Sequence, residues 1–455
     1  MKVAIVNAKI VLPDKNMILE DASLLIENGL ISRIDQVKYR FDYSANVFID
    51  AEGGYLIPGL INNHSHGFTL GPLFASANQP VTFELVVRNL NRHLLQGTTT
   101  LLNLDGFALI EEVEAVDKLH PIKIKPGTTH MPLNMKAAEL ADGAGLTKAH
   151  KAMTVAEMLE RGAAAIGEVG AGATLGGGVA SYYLLPRAIE EKTGKIITAA
   201  QAERLKLAVL GRYIDPSFTD KEKVKDFLKE SALEGSLTIE EAIEITMKVV
   251  YASVEIAREG IKEAADFSIK YNMPVIIHNA AASKDTVLEV AKRLGPKLIA
   301  GHSNHPSYDK DEMLEVAQEL KKLGAIIDVC SGDTFGARQL FSAIEPTLTM
   351  IEEGIVDTLS TDFMGGNWDS MLRVLEAAIE RKKISLPKAV AMATSNVVKA
   401  IPRLAPNGGV IEEGRTADIV ILDKKRLSKV RHVIINGIPV VVDGVIKVPR
   451  PDWIW

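Results

Sequence analysis

Leu56-Ile57-Pro58-Gly59-Leu60-Ile61-Asn62-Asn63-His64-Ser65-His66 is an apolar run that ends in two histidines. As a β-strand it places His64 and His66 on one face, because side chains two apart point the same way. Two imidazoles on one face at the C-terminal end of a strand are arranged to bind a metal ion. An HxH pair alone is a weak signal, so its value depends on what surrounds it.

Downstream, seven further apolar runs alternate with helical patterns: 98–104, 122–126, 164–168, 274–278, 297–302, 325–330 and 358–362. Amphipathic stretches such as 285–294 and 310–323 lie between most of them. Strand-helix alternation argues for a parallel sheet, and eight repeats favour closure, which leaves no edges. The expected fold class is α/β, a TIM-type (β/α)8 barrel.

Residues 1–54 and 405–455 carry short β runs punctuated by turns at Pro13-Asp14, Asn28-Gly29, Gly437 and Gly444. They are expected to form one small composite β-sandwich domain from both termini, leaving 55–404 for the barrel. Residues 171–260 read as nearly all helix and form a helical insertion between the fourth and fifth strands. Thr219 with Glu222 and Thr238 with Glu241 have capping-box spacing there. Such an insertion serves packing, oligomer contact or a lid.

The runs end in chemistry. Glu168 closes the fourth, His278 the fifth, His302 the sixth and Asp362 the eighth. With His64 and His66, that sets metal-ligand residue types on five strands at the end where barrel active sites lie. His130 and His305 follow strands on the same side and are candidates to touch substrate. His93, His120, His150 and His432 read as ordinary. Cys330 reads as a small buried filler, a nucleophile only with a base beside it. The glycines at 170, 172 and 176–178 are not followed by a Walker-type Lys-Ser or Lys-Thr.

Composition narrows the class. A net charge of −6 gives no electrostatic reason to bind nucleic acid, and no apolar run is long enough to span a membrane. One cysteine excludes an intrachain disulfide. With an N-terminus that lacks the long apolar core of a signal peptide, the expected location is the cytoplasm. The expected partner is a small-molecule substrate. A homo-oligomer, dimer or tetramer, is the default. Trp453 and Trp455 would dock on the β domain or on a neighbouring subunit.

Together these motifs resemble the amidohydrolase superfamily over nearly the whole chain. Residues 58–66 look like its first-strand signature, and His278, His302 and Asp362 match its later ligands in order. Residues 409–423 resemble its return to the β domain. The resemblance implies a metal-dependent hydrolase with two divalent ions, zinc before iron or manganese. His64, His66, Glu168 and Asp362 would hold one ion, and Glu168, His278 and His302 the other. It also implies attack by a metal-bridging hydroxide on the carbonyl of an amide or cyclic amide, with Asp362 as the catalytic proton shuttle. Two departures matter. Asn62 stands where the family often has Asp. Glu168 stands where many members have a carboxylated lysine, which is similar to the glutamate-bridged branch of enamidase and, less closely, adenine deaminase. A heterocycle deaminase and a non-catalytic structural barrel are the alternatives.

Overall fold

The computed structural model describes residues 1–39, 44–334, 344–362, 369–381 and 384–447. Trp453 and Trp455, expected to dock on a neighbouring surface, lie outside them.

Eight parallel strands form the barrel: β1 (Leu60–Ser65), β2 (Thr98–Asn103), β3 (Lys123–Thr128), β4 (Ala165–Val169), β5 (Val275–His278), β6 (Leu298–Gly301), β7 (Ile326–Cys330) and β8 (Thr358–Ser360). Each pairs with its neighbour in chain order. Closure comes from the ends that carry the candidate ligands: Ser65 bridges Asp362, and the Asp362 N–H donates to the His64 carbonyl at 3.0 Å. The strands obey a period of two. Ile276 joins Ile61, Leu102 and Ile299 in one cluster, which Val397 and Ile401 complete from the helix Ser395–Ala400 and the residue after it. Val275 and Ile277 face the other way, into the layer shared with the surrounding helices.

Both termini build a second, mixed sheet of nine strands. Lys2–Leu12 pairs antiparallel with Met17–Glu27, and in parallel with both Val47–Asp50 and Tyr55–Pro58. Tyr55–Pro58 also pairs antiparallel with Ile419–Leu422, which joins the N-terminal strands to the C-terminal ones. The expected fold class, a barrel with a β-sandwich domain from both termini, is the one observed. One boundary differs. The apolar run 56–62, expected as a single barrel strand, is split at Gly59 between the two sheets. The Gly59 N–H donates to the Asp418 carbonyl at 2.8 Å, and a Cβ there would lie 2.3 Å from Thr99 Oγ1. Only glycine lets the chain pass that close to β2.

Between β4 and β5 run the helices Leu185–Thr193, Ala199–Leu210, Lys221–Glu230, Ile239–Thr246 and Ala252–Tyr271. They share an apolar cluster of their own, including Leu185, Leu205, Val209 and Phe227. Thr238 and Glu241 form the expected capping box. The expected box at Thr219 and Glu222 is not formed. Asp220 caps that helix instead, its carboxylate accepting the Glu222 and Lys223 N–H groups, while the Thr219 hydroxyl donates to the Val209 carbonyl. A carboxylate one residue nearer the helix start takes the position. Among the described residues no helix is long and apolar enough to cross a membrane.

Candidate metal centre

The six side chains expected to bind metal meet at the C-terminal mouth of the barrel, each 3% exposed or less. Glu168 is central. Its Oε1 lies 2.8 Å from His278 Nδ1, 3.0 Å from His302 Nε2 and 3.5 Å from His64 Nε2. Its Oε2 lies 3.5 Å from His66 Nε2. Asp362 Oδ1 sits 3.5 Å from His66 Nε2 and 3.9 Å from His64 Nε2. Among the described residues the donors fall into the groups His64, His66, Asp362, then Glu168, His278, His302, and also His64, His302, Cys330, with Glu168 facing both of the first two.

The backbone is bent to bring them there. His302 and Asp362 occupy the left-handed region, at φ 55° and 64°. Non-glycine residues hold that conformation only when their surroundings enforce it. Gly167, at φ 134°, lets Glu168 approach β5, since a Cβ would lie 2.6 Å from the Ile276 carbonyl oxygen.

The electrostatics of Glu168 and His64 fit a cation, whereas against burial Asp105 and Glu168 raise His66, and Cys330 and Asp333 raise His302 well above its usual value. Burial works against the Glu168 carboxylate, yet His278, His64 and His302 outweigh it and hold Glu168 well below the usual carboxylate range. Burial lowers His64 to about 3, so its imidazole is neutral, as a metal ligand must be. Among the described residues neither of its ring nitrogens has a hydrogen-bond partner. A wholly buried, neutral imidazole with no hydrogen-bond partner, among three more imidazoles and two carboxylates, is a donor set that divalent ions fit.

Two carboxylates missed in the sequence orient these ligands. Asp105, just past β2, holds His66 Nδ1 at 3.1 Å. Asp333, past β7, holds His302 Nδ1 at 3.3 Å. A metal-binding histidine commonly donates its other N–H to such a group. Asp105 directly follows the apolar run 98–104, much the same signal that marked the others. Asp333 lies on a short helix and carries no such mark. Asn62 bonds both the Thr361 side chain (2.7 Å) and its backbone N–H (3.3 Å), which ties β1 to the turn after β8.

Of the remaining candidates, His305 stands beside this centre. His305 is half-buried, its ring 5.2 Å from that of His278. His130 is buried against Phe107, its Nδ1 3.0 Å from Thr128 Oγ1, and burial lowers it to about 4. Cys330 has His302 Nδ1 3.3 Å from its sulfur, but burial pushes its thiol up and it is fully enclosed. His93 packs on Phe68, and His150 pairs with Glu112.

The sequence profile of the amidohydrolase family matches residues 47–446. The chain belongs to the amidohydrolase family. Over 67 residues it is 34% identical to a 5-methylthioadenosine/S-adenosylhomocysteine deaminase of Bacillus cereus (strain B4264), a match covering 14% of this chain and 15% of the deaminase. In structure, the chain is similar to a beta-aspartyl dipeptidase of Fervidobacterium islandicum AW-1 (TM-score 0.55, 15% identity, 99% of both chains). It is also similar to an L-hydantoinase of Arthrobacter aurescens (TM-score 0.53, 14% identity, 98% of both chains). At those identities the likeness is one of fold.

Proposed function

We propose that the protein hydrolyses a C–N bond, in an amide or a cyclic amide, with two divalent metal ions. The observation that carries this reading is Glu168 facing both donor groups at the barrel mouth. His64, His66 and Asp362 would hold one ion, His278 and His302 the other, and Glu168 would serve both. Imidazole and carboxylate suit zinc, with iron and manganese next. Ions bound there supply a Lewis acid and a water acidic enough to attack near neutral pH. Asp362 would accept a proton from the attacking water on its carboxylate and return it to the leaving nitrogen. His130 and His305 contact the substrate from the loops after β3 and β6. Glu168 in place of a lysine favours the glutamate-bridged branch, closer to enamidase than to adenine deaminase.

Release of ammonia from a heterocycle is the second reading, favoured by the local identity to a deaminase. Metal content by plasma mass spectrometry, with amine and ammonia detection over amides, hydantoins and purines, tests both. About two equivalents of metal with ring opening or amine release supports the first reading. Ammonia from a purine supports the second. Protein that takes up no metal after reconstitution refutes both.

A further inference from the structure

Asp105 does more than face His66. Its Oδ1 also accepts the Phe74 N–H at 2.9 Å, and its Oδ2 accepts the Gly67 N–H at 2.9 Å. One buried carboxylate therefore holds an imidazole of the candidate centre and two points of the loop that follows β1. That loop is preorganised. Leu73 and Asn78 exchange both backbone hydrogen bonds, at 2.9 and 2.8 Å, and Ser76 and Ala77 accept N–H groups from Gly143 and Gly145. Phe74 sits inside this hairpin at φ 60°, a left-handed conformation that a bulky residue adopts only under constraint. Its ring stands edge-on to His66, centroids 5.1 Å apart, and the residue is half-buried, as is Leu73 before it, while Ala75 after it is buried. An aromatic side chain held in a strained conformation beside a metal-binding imidazole, and left partly open, has the features of a wall meant for a ligand.

We propose that Asp105 is a positioning residue that couples His66 to Phe74, and that the substrate lays a flat apolar or aromatic substituent against the Phe74 ring. This rests on the metal-centre reading above. Asp105 accepts from His66 Nδ1, which leaves Nε2 free to ligate. By holding the Phe74 N–H on the same oxygen, it fixes the wall relative to the ligand. Ligand orientation and substrate choice then depend on one side chain.

The test uses the whole protein loaded with zinc, and two metal-binding probes, acetohydroxamate and benzohydroxamate. Wild type should prefer the aromatic probe. Phe74→Ala should keep its zinc and lose that preference by about tenfold, with acetohydroxamate binding unchanged. Asp105→Ala should weaken zinc retention against a chelator by about 10- to 100-fold and also lose the aromatic preference, and Asp105→Asn should recover part of both. If Asp105→Ala does not fold, Asp105→Asn carries the same comparison at reduced size. The proposal is overturned if zinc retention is unchanged in the Asp105 variants, or if Phe74→Ala keeps the aromatic preference. A wild-type protein that takes up no zinc, iron or manganese overturns the metal-centre reading itself, a result separate from either of these.

Discussion

At the scale of the residue, two carboxylates with opposite tasks illustrate how burial and partners divide the work. Asp362 is placed by a left-handed turn just past β8, within reach of both HxH imidazoles. Asp362→Asn should leave the fold and most of the bound metal intact, because the amide oxygen can still face the centre. Turnover should fall about 10²- to 10⁴-fold, the usual worth of a positioned acid–base group. Steady-state kinetics with metal analysis checks this, and an Asp362→Asn protein with wild-type turnover removes the proton-shuttle role. Asp328, inside β7, serves the fold instead. It accepts from Asn63, Thr358 and Ser360, but burial outweighs these and raises its carboxyl to about 6 from 3.8. The folded state thus binds this proton more tightly than the unfolded one. The stabilisation is complete below about pH 4 and lost as pH rises through about 6. Two units correspond to about 3 kcal/mol. Relative to Asp328→Asn, wild type should gain up to that amount as pH falls from 7 to 4, read from urea unfolding at both values. An equal difference at the two pH values would mean that Asp328 does not hold the proton. The six candidate ligands were legible because each ends an apolar strand. His130 and His305 share that position, yet their value depends on which way a ring faces. Asp105 was overlooked although it directly follows the apolar run 98–104, because orienting a ligand needs no motif, only proximity.

At the scale of the element, the long helical segment between β4 and β5 is fastened to the barrel mouth by a compact polar latch. The Tyr213 hydroxyl donates to Glu312 Oε1 at 2.9 Å, and Arg212 and Lys284 pair with Glu312 at 2.8 and 3.0 Å. The Arg212 guanidinium and the Lys284 ammonium also lie 4.8 and 4.9 Å from the Tyr213 ring centroid. Arg258 adds bonds to the Ala282 and Tyr213 carbonyls. Lys284 begins the helix that follows the His278 strand, and Glu312 lies in the helix that follows His302, so the latch joins the segment to the helices after β5 and β6. Glu312→Ala removes the shared acceptor of three donors. It should destabilise the protein by about 1–3 kcal/mol, as the loss of charged hydrogen bonds does. It should also speed amide hydrogen exchange across 199–230 more than in the barrel strands. Uniform exchange rates across both regions would show that the latch does not fasten the segment. The segment was legible as helix from composition and caps, and the Thr238 box followed its spacing. The Thr219 box failed because spacing cannot decide between adjacent capping residues when Asp220 competes. The split of the run 56–62 was illegible for a different reason. The partner that takes Tyr55–Pro58 out of the barrel, Ile419–Leu422, lies more than 350 residues away.

At the scale of the whole molecule, the same ends that gather the candidate ligands also close the barrel, so an ion bound there would stabilise the whole barrel. β1 and β8 meet through the Ser65–Asp362 bridge and the Asp362 N–H to His64 carbonyl bond, and Asn62 reinforces the seam through Thr361. The four imidazoles and two carboxylates come from five strands. A ligand that binds only the folded arrangement stabilises it by RT ln(1 + [L]/Kd), about 4 kcal/mol at a thousandfold excess over Kd. Metal-loaded protein should therefore melt several degrees above protein stripped with a chelator, and the difference should grow with free metal concentration. Imidazoles must be neutral to ligate, so the same difference should shrink as the pH is lowered from 8 to 6. The effect should be confined to the barrel. The terminal sheet has its own apolar cluster, with Ile5, Ile10, Leu24, Ile26 and Ile419, and its exchange protection should change little on chelation while that of β1 and β8 falls. Calorimetry with and without chelator at the two pH values, read beside exchange mass spectrometry, separates the outcomes. A melting temperature indifferent to metal at both pH values would mean that the buried donors are satisfied by one another, and that the seam between β1 and β8 closes without an ion.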